Sequence, residues 1–365
     1  MKKQKFNKYR VYELLSPIIG FLISLVILLI IVIAVGESPG KAIAAIYKFS
    51  LSTSAKLATV FSIAIPHFLA GLAVAFAFRA NVFNIGVEGQ YFVGGLVGAI
   101  AGIYFKMPVY LHLPVVVIFS LLGGALWAAI PAVLKVTKGV HEVITTIMFN
   151  SIALALVNYL VNVPLSGATT ESLEPQTAKI LPTAVFGKLN IIFRGIGWNI
   201  PDYVYLDYSL VVAIIMGFLV WFLLFKLRIG FEIRAVGASV DVAMYAGIQV
   251  KQLQLAAFLI SGALAGLIGL QEIFAIRGFY TYGIASGLGF DGIAIALIGR
   301  NSPIGVVFAS ILFAFLRQAG YGLQLYTAVP NSVIYVITGL MILIIVVANE
   351  IMTRYIKRLR KKEAG

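Results

Sequence analysis

Residues 67–105 read HFLAGLAVAFAFRANVFNIGVEGQYFVGGLVGAIAGIYF, two apolar stretches parted by a polar, glycine-broken segment. A bilayer core takes about 20 apolar residues per helix. The flanks meet that requirement as parts of the runs 57–78 and 82–105. Between them Asn84, Glu88 and Gln90 fall at a depth where lipid offers no hydrogen bond, alongside Gly86 and Gly89, which loosen a helix. Polar backbone and side chains at that depth must be covered by protein or line a wet cavity. The stretch therefore predicts a helical membrane protein with at least one interrupted helix.

Composition agrees along the whole chain. Of 365 residues 61% are hydrophobic and only 12% charged, and the mean hydropathy is +1.00. Length alone would suggest two or three soluble domains, but the repeated apolar runs overrule it. The chain has no cysteine, which excludes disulfides, thiolate catalysis and cysteine metal sites. His67, His112 and His141 are too few and too scattered for a metal centre. The net charge of +14 raises the question of a nucleic-acid partner. Its concentration in MKKQKFNKYR (1–10) and RYIKRLRKK (354–362), beside long apolar runs, points instead to cytoplasmic anchoring at a membrane, with no nucleic acid involved. The first run, 17–35, is long for a signal-peptide core and no small-residue cleavage site follows it, so it reads as an uncleaved helix.

The pattern predicts an all-α polytopic fold with about ten crossings, at 17–35, 57–78, 82–105, 113–134, 142–163, 209–226, 252–275, 287–299, 303–320 and 332–349. Residues 17–349 then form the membrane domain, with cytoplasmic basic ends at 1–16 and 350–365. Most of the 28 Lys and Arg residues fall on the side of the two tails, as the positive-inside rule requires. Residues 164–208 become an outer loop whose apolar patches suggest a folded segment, either a partner-binding surface or a lid on the bundle. Residues 226–251 become the main cytoplasmic loop, within which Phe231–Tyr245 suits one short amphipathic helix. FLAGLAVAF (68–76) is echoed by ALAGLIGLQ (263–271), each leading to a basic residue and a glycine-broken segment with one acid, Glu88 or Asp291. With the first copy running inward and the second outward, the echo suggests two inverted-repeat halves.

FRANVFNIGVEGQYFVGG, HEVITTIMFNSIA, IRAVGASVDVAMYAGI and FDGIAIALIGRNSPIGVVFAS together resemble the permease subunits of ABC importers. The closest likeness is to the nucleoside-type branch of the family that also holds ribose and branched-chain amino-acid permeases. It extends from about Leu57 to Ala348, with NIGVEGQ and HEVITTIMFN its most branch-specific parts. Relatives often carry Glu-Asn where this loop has Ala238 and Ser239.

The resemblance implies a type II-like importer permease in a bacterial inner or plasma membrane, with both termini cytoplasmic. Implied partners are a cytoplasmic ABC ATPase using ATP and Mg, a second related permease and an external substrate-binding lipoprotein. The implied cargo is a nucleoside, purine nucleosides foremost. A sugar or a branched-chain amino acid is the alternative within the family. GESPGKA (36–42) lacks the spacing and the Ser or Thr of a phosphate loop, so ATP hydrolysis would fall to the partner. The resemblance also implies that Arg234, Ala235, Gly237, Asp241, Ala243 and Gly247 belong to the element that couples to the ATPase.

Candidates for the substrate path are Asn84, Glu88, Gln90, Asn150 and Asp291, whose donors and acceptors suit ribose hydroxyls and base edges. The opposing reading is structural: Glu88 caps a half-helix or pairs with Arg79, and Asn150 serves helix packing. Glu272 and Arg277 are expected to form an ion pair. From another class, an ion-coupled transporter or channel would use Glu88 and Asp291 as a proton or sodium site.

Overall fold

The computed structural model describes residues 25–167, 174–195, 197–281 and 287–327 without a break, with Ile19, Leu22, Ile23, Ile284 and scattered positions between 329 and 358. The described residues are helical, joined by loops with isolated β-bridges. The order begins with α1 (Leu25–Ala34), α2 (Pro39–Ser50), α3 (Ser54–Arg79), α4 (Val87–Tyr104), α5 (Val109–Lys138) and α6 (Glu142–Asn162). It continues with α7 (Asn190–Gly195), α8 (Tyr208–Lys226), α9 (Arg228–Ala238), α10 (Val240–Tyr245), α11 (Val250–Gly266), α12 (Leu288–Ile298) and α13 (Pro303–Tyr326). After α11 the chain passes into a π-helical turn, Gln271–Arg277.

Local chemistry accounts for the boundaries. Pro39 stands at the start of α2, where its missing N–H costs nothing. Asp207 accepts from the Ser209 N–H and starts α8. Gly139, at φ 67°, ends α5 in the left-handed conformation that glycine adopts without strain.

Six helices among the described residues are long and apolar enough to cross a membrane: α3, α5, α6, α8, α11 with its π-turn, and α13. The chain is thus a multi-pass membrane protein. The expected ten crossings differ from these six for physical reasons. The third expected span begins as a helix only at Val87, because residues 80–86 are irregular. The eighth is the 11-residue α12, too short to cross alone. Residues 36–56, expected as loop, contain α2. Of the first span, α1 is the continuous described helix. Residues 1–16, and most of 332–349 and 350–365, lie outside the described residues.

Two compact units divide the chain, one of residues 58–313 and one of 1–57 with 314–365. In the second, α2 meets the end of α13: Gln318 donates to the Phe49 carbonyl, and the Phe49 and Tyr326 rings meet edge to face at 6.3 Å. In the first, α4, α5 and α11 pack through glycines. A Cβ on Gly94 would overlap Gly266, and one on Gly124 the Gly262 carbonyl. Lipid supplies no hydrophobic drive between helices, so such close approach, with its dispersion contacts, is what holds the trio.

Candidate functional site

The interrupted segment after α3 turns at Asn81, at φ 55°, and re-enters helix at Val87. Its polar side chains are buried and turned on one another. Asn84 and Gln90 exchange reciprocal amide hydrogen bonds of 2.9 and 3.0 Å. Asn84 also donates to Ser261 of α11 at 2.9 Å and accepts from the Gly86 N–H at 3.0 Å. The Ser261 hydroxyl donates in turn to the Ala73 carbonyl of α3 at 2.7 Å. Asn150 of α6 accepts from the Gly89 N–H at 2.8 Å and donates to the Ile85 carbonyl at 3.0 Å. One amide cluster thus ties the break to α3, α6 and α11, supplying the partners that lipid cannot.

Glu88, buried, points its carboxylate at the start of α12. It accepts from the Gly287 N–H at 2.6 Å and the Gly289 N–H at 2.7 Å. A Cβ on Gly289 would stand 2.5 Å from the Glu88 nitrogen, so the first turns of α4 and α12 touch backbone to backbone. Each helix N-terminus carries about half a positive charge. Two of them meeting at one carboxylate favour the charged form of Glu88 at this depth.

Arg79, the cation expected near Glu88, serves the other end of α12. Its guanidinium donates to the carbonyls of Asn301 at 2.6 Å and Arg300 at 3.4 Å, just past the helix C-terminus. Those two residues have φ of 52° and 53°, and a cation suits the negative end of the dipole. Between the two ends, Gly71 abuts Ile295 and Gly292 abuts Ala70. Asp291 faces His67 of α3, Oδ2 to Nε2, at 3.4 Å. The half-helix therefore lies parallel to α3 in near-constant register. For His67 the sequence argues against a metal centre and indicates no other role. Its pairing with Asp291 had no mark in the sequence beyond Asp291 itself.

A second polar cluster fastens the segment that leads into α8. Gln271, at the start of the π-turn, donates to the Tyr205 carbonyl at 2.8 Å and to Asp207 at 3.2 Å. Ser62 donates to the same carbonyl at 2.6 Å. Burial raises the Asp207 carboxyl above the usual range, against the bonds from Ser209 and Gln271. Residues 174–189 are stitched to the bundle by backbone bonds: Thr177 to Tyr280, Ile180 to Gly278, Leu181 to Gly102 and Phe186 to Phe274. Ile191 and Ile192 of α7 remain exposed on this segment. Glu272 and Arg277 form their expected pair at 2.6 Å.

The loop 226–251 departs from the single helix expected. Ser239 is extended and caps a new start through its Oγ and the Val242 N–H, so α9 and α10 are separate helices. Ala243 is buried while Val242, Met244 and Tyr245 project, Tyr245 being 93% exposed. Asp241 lies in the first turn of α10, and Gly247, at φ 77°, follows its end. Ala235 is half-buried on α9. Arg234 sits over the Phe225 ring at 5.1 Å. A Cβ on Gly237 would overlap the Arg79 carbonyl, which pins α9 to the end of α3.

An apolar groove of about 650 Å³ runs between α3, α8 and α13, with Phe193 and Trp198 also in its lining. Apart from Ser310 its lining is apolar, so it has almost nothing to offer a polar solute.

Residues 56–346 match the family described as branched-chain amino acid transport system, permease component. The guanosine ABC transporter permease protein NupP of Bacillus subtilis is 36% identical over 98% of this chain and 99% of its own length. The nucleoside ABC transporter permease protein NupB of Lactococcus lactis is 31% identical over 98% and 97%. The glucose ABC transporter permease protein TsgB13 of Haloferax volcanii is 32% identical over 93% and 88%. No solved structure matches the chain.

Proposed function

The chain belongs to the family of permease components of the branched-chain amino acid transport system, and from that premise we propose that it is the membrane subunit of an ATP-driven importer of nucleosides, purine nucleosides foremost. The observation that carries the cargo is the end-to-end similarity to permeases named for guanosine and for nucleosides. The chain is a transport subunit and not an enzyme. A cytoplasmic ABC ATPase hydrolyses ATP with Mg, an external lipoprotein delivers the nucleoside, and a second related permease completes the path. In a bacterial inner or plasma membrane the chain makes about ten crossings in two inverted-repeat halves. Both basic tails, 1–16 and 350–365, are cytoplasmic. The meeting of the α4 and α12 N-termini, each after a break, supports the repeat.

In this proposal Asn84, Glu88, Gln90 and Asn150 hold the half-helices that border the path, since their hydrogen bonds run to other parts of the chain. Asp291 is the candidate nearest to the path, its side chain being 21% exposed. The coupling element is α9–α10, reaching the ATPase through Val242, Met244 and Tyr245. Its motion passes through Gly237 to Arg79 and so to α12. Arg234, Ala235, Asp241, Ala243 and Gly247 shape that element.

A sugar permease is the second proposal, favoured by the similarity to the glucose permease. Uptake of labelled guanosine, adenosine, uridine, ribose and glucose by cells with the gene deleted and restored separates the two. Restoration of guanosine and adenosine uptake is expected. Restoration of glucose or ribose uptake with no nucleoside would overturn the cargo.

A further inference from the structure

We infer that the apolar groove between α3, α8 and α13 is a phospholipid site, holding an acyl chain while the anionic headgroup meets Lys226 at the end of α8. Such a site needs only that the chain cross a membrane, whatever cargo it carries.

All three helices are long and apolar enough to cross a membrane, so the groove between them faces acyl chains rather than water. Its lining includes Ile214, Phe218 and Ile304, all more than half exposed. On α8 the lining runs from Leu210 to Trp221, about 16 Å at the helical rise. Gly217, also in the lining, lets α3 close on α8: a Cβ there would stand 2.8 Å from the Phe68 ring. The hydroxyl of Ser310 already donates to the Val307 carbonyl at 2.8 Å. An occupant therefore needs no polar atom along this length and gains by having none.

Where α8 ends, the surface changes character. Trp221 is the last α8 residue of the lining, and the Lys226 ammonium rests over its ring at 5.5 Å. Phe225, one turn beyond Trp221, carries two guanidiniums over its ring, Arg234 at 5.1 Å and Arg79 at 5.9 Å. Arg79 also holds the Arg300 and Asn301 carbonyls, just before α13 begins at Pro303, itself in the lining. Three cations thus gather where α8 ends and α13 starts. Glu232, the acid nearest to Lys226 in sequence, is paired with Arg228 at 3.1 Å. Lys226 is exposed, and its flexible stem carries the charge to the headgroup level. A phospholipid brings an apolar chain and a phosphate on one molecule, the complement of this groove and its basic end. A second copy of this chain fits less well. Across a two-fold axis the same patch faces itself, so Lys226 would oppose Lys226.

Tryptophan fluorescence reports on the groove. Of the three tryptophans, Trp198 and Trp221 line it, and Trp127→Phe removes the third, which lies on α5. The full-length Trp127→Phe chain is placed in phosphatidylcholine vesicles holding a minor fraction of chain-brominated phosphatidylglycerol or chain-brominated phosphatidylcholine. Bromine quenches the indole on contact. An apparent affinity about fivefold higher for the phosphatidylglycerol is expected, the share of one lysine at a membrane surface. Lys226→Gln should abolish that preference and Lys226→Arg keep it, while Lys138→Gln, at the end of α5, leaves it intact. Val307→Phe, which narrows the groove, should weaken quenching by both lipids. Equal quenching by the two lipids overturns the inference. So does a preference that survives Lys226→Gln, or one that falls equally with Lys138→Gln, which is charge without a site. Quenching unmoved by Val307→Phe puts the lipid elsewhere and overturns it too. Quenching by neither lipid gives the groove to protein, a second copy included, and likewise overturns it.

Discussion

Glu88 brings a negative charge to a place that carboxylates usually avoid, and the geometry says what keeps it there. Two backbone N–H groups from α12 reach its two oxygens, and both ends of the contact are helix N-termini. Hydrogen bonds to a charged group are worth about 1.5–3 kcal/mol each. In Glu88→Gln the charge is gone and one amide group faces an N–H donor, so a loss of about 2–3 kcal/mol is expected. It should appear as a lower melting temperature of the purified chain, with the KM of residual uptake unchanged. A raised KM at unchanged thermal stability would instead make Glu88 a substrate contact. Residue types alone could not choose among the readings, because the partners are main-chain atoms. The sequence left three readings for Glu88, a lining of the path, a half-helix cap and a pair with Arg79, and two hydrogen bonds to its carboxylate come from the start of α12. His67 was harder to read still: its partner lies on another element, and a lone histidine in an apolar run has no pattern around it.

At the scale of elements, apolar run length located α3, α5, α6 and α8 to within a few residues, since burial in lipid sets that length directly. It missed the start of α4, where an irregular segment relies on neighbours for what a full span supplies itself, whereas α12 is bounded to within a residue but is too short to cross alone. The loop 226–251 reads as one helix in the sequence because its apolar spacing continues across Ser239. The signal lay in Ser239 followed by Asp241, an N-cap with an acid in the first turn. That loop also carries a mechanical prediction. Gly237 meets the Arg79 carbonyl with no room for a Cβ, so Gly237→Val introduces overpacking of about 1–3 kcal/mol between α9 and α3. Uptake per ATP hydrolysed by the reconstituted complex should fall, with hydrolysis continuing. An unchanged ratio would detach this contact from coupling.

Over the whole molecule the proposed orientation, with the basic tails inside, is measurable because the chain has no cysteine. Ile191 is 82% exposed before α8 and Tyr245 is 93% exposed after it. A membrane-impermeant maleimide should label Ile191→Cys from outside intact cells and Tyr245→Cys only after they are opened. Labelling of both from the same side would contradict a crossing by α8. The short α12 has a further consequence, for how the protein is made. Its eleven residues give an insertion machinery little to recognise. Glu88 precedes Gly287 by 199 positions, so the carboxylate is synthesised and lodged long before its donors exist. Biogenesis must therefore hold the early helices in a provisional arrangement, with that charge hydrated or shielded, until the late half-helix arrives and seals it.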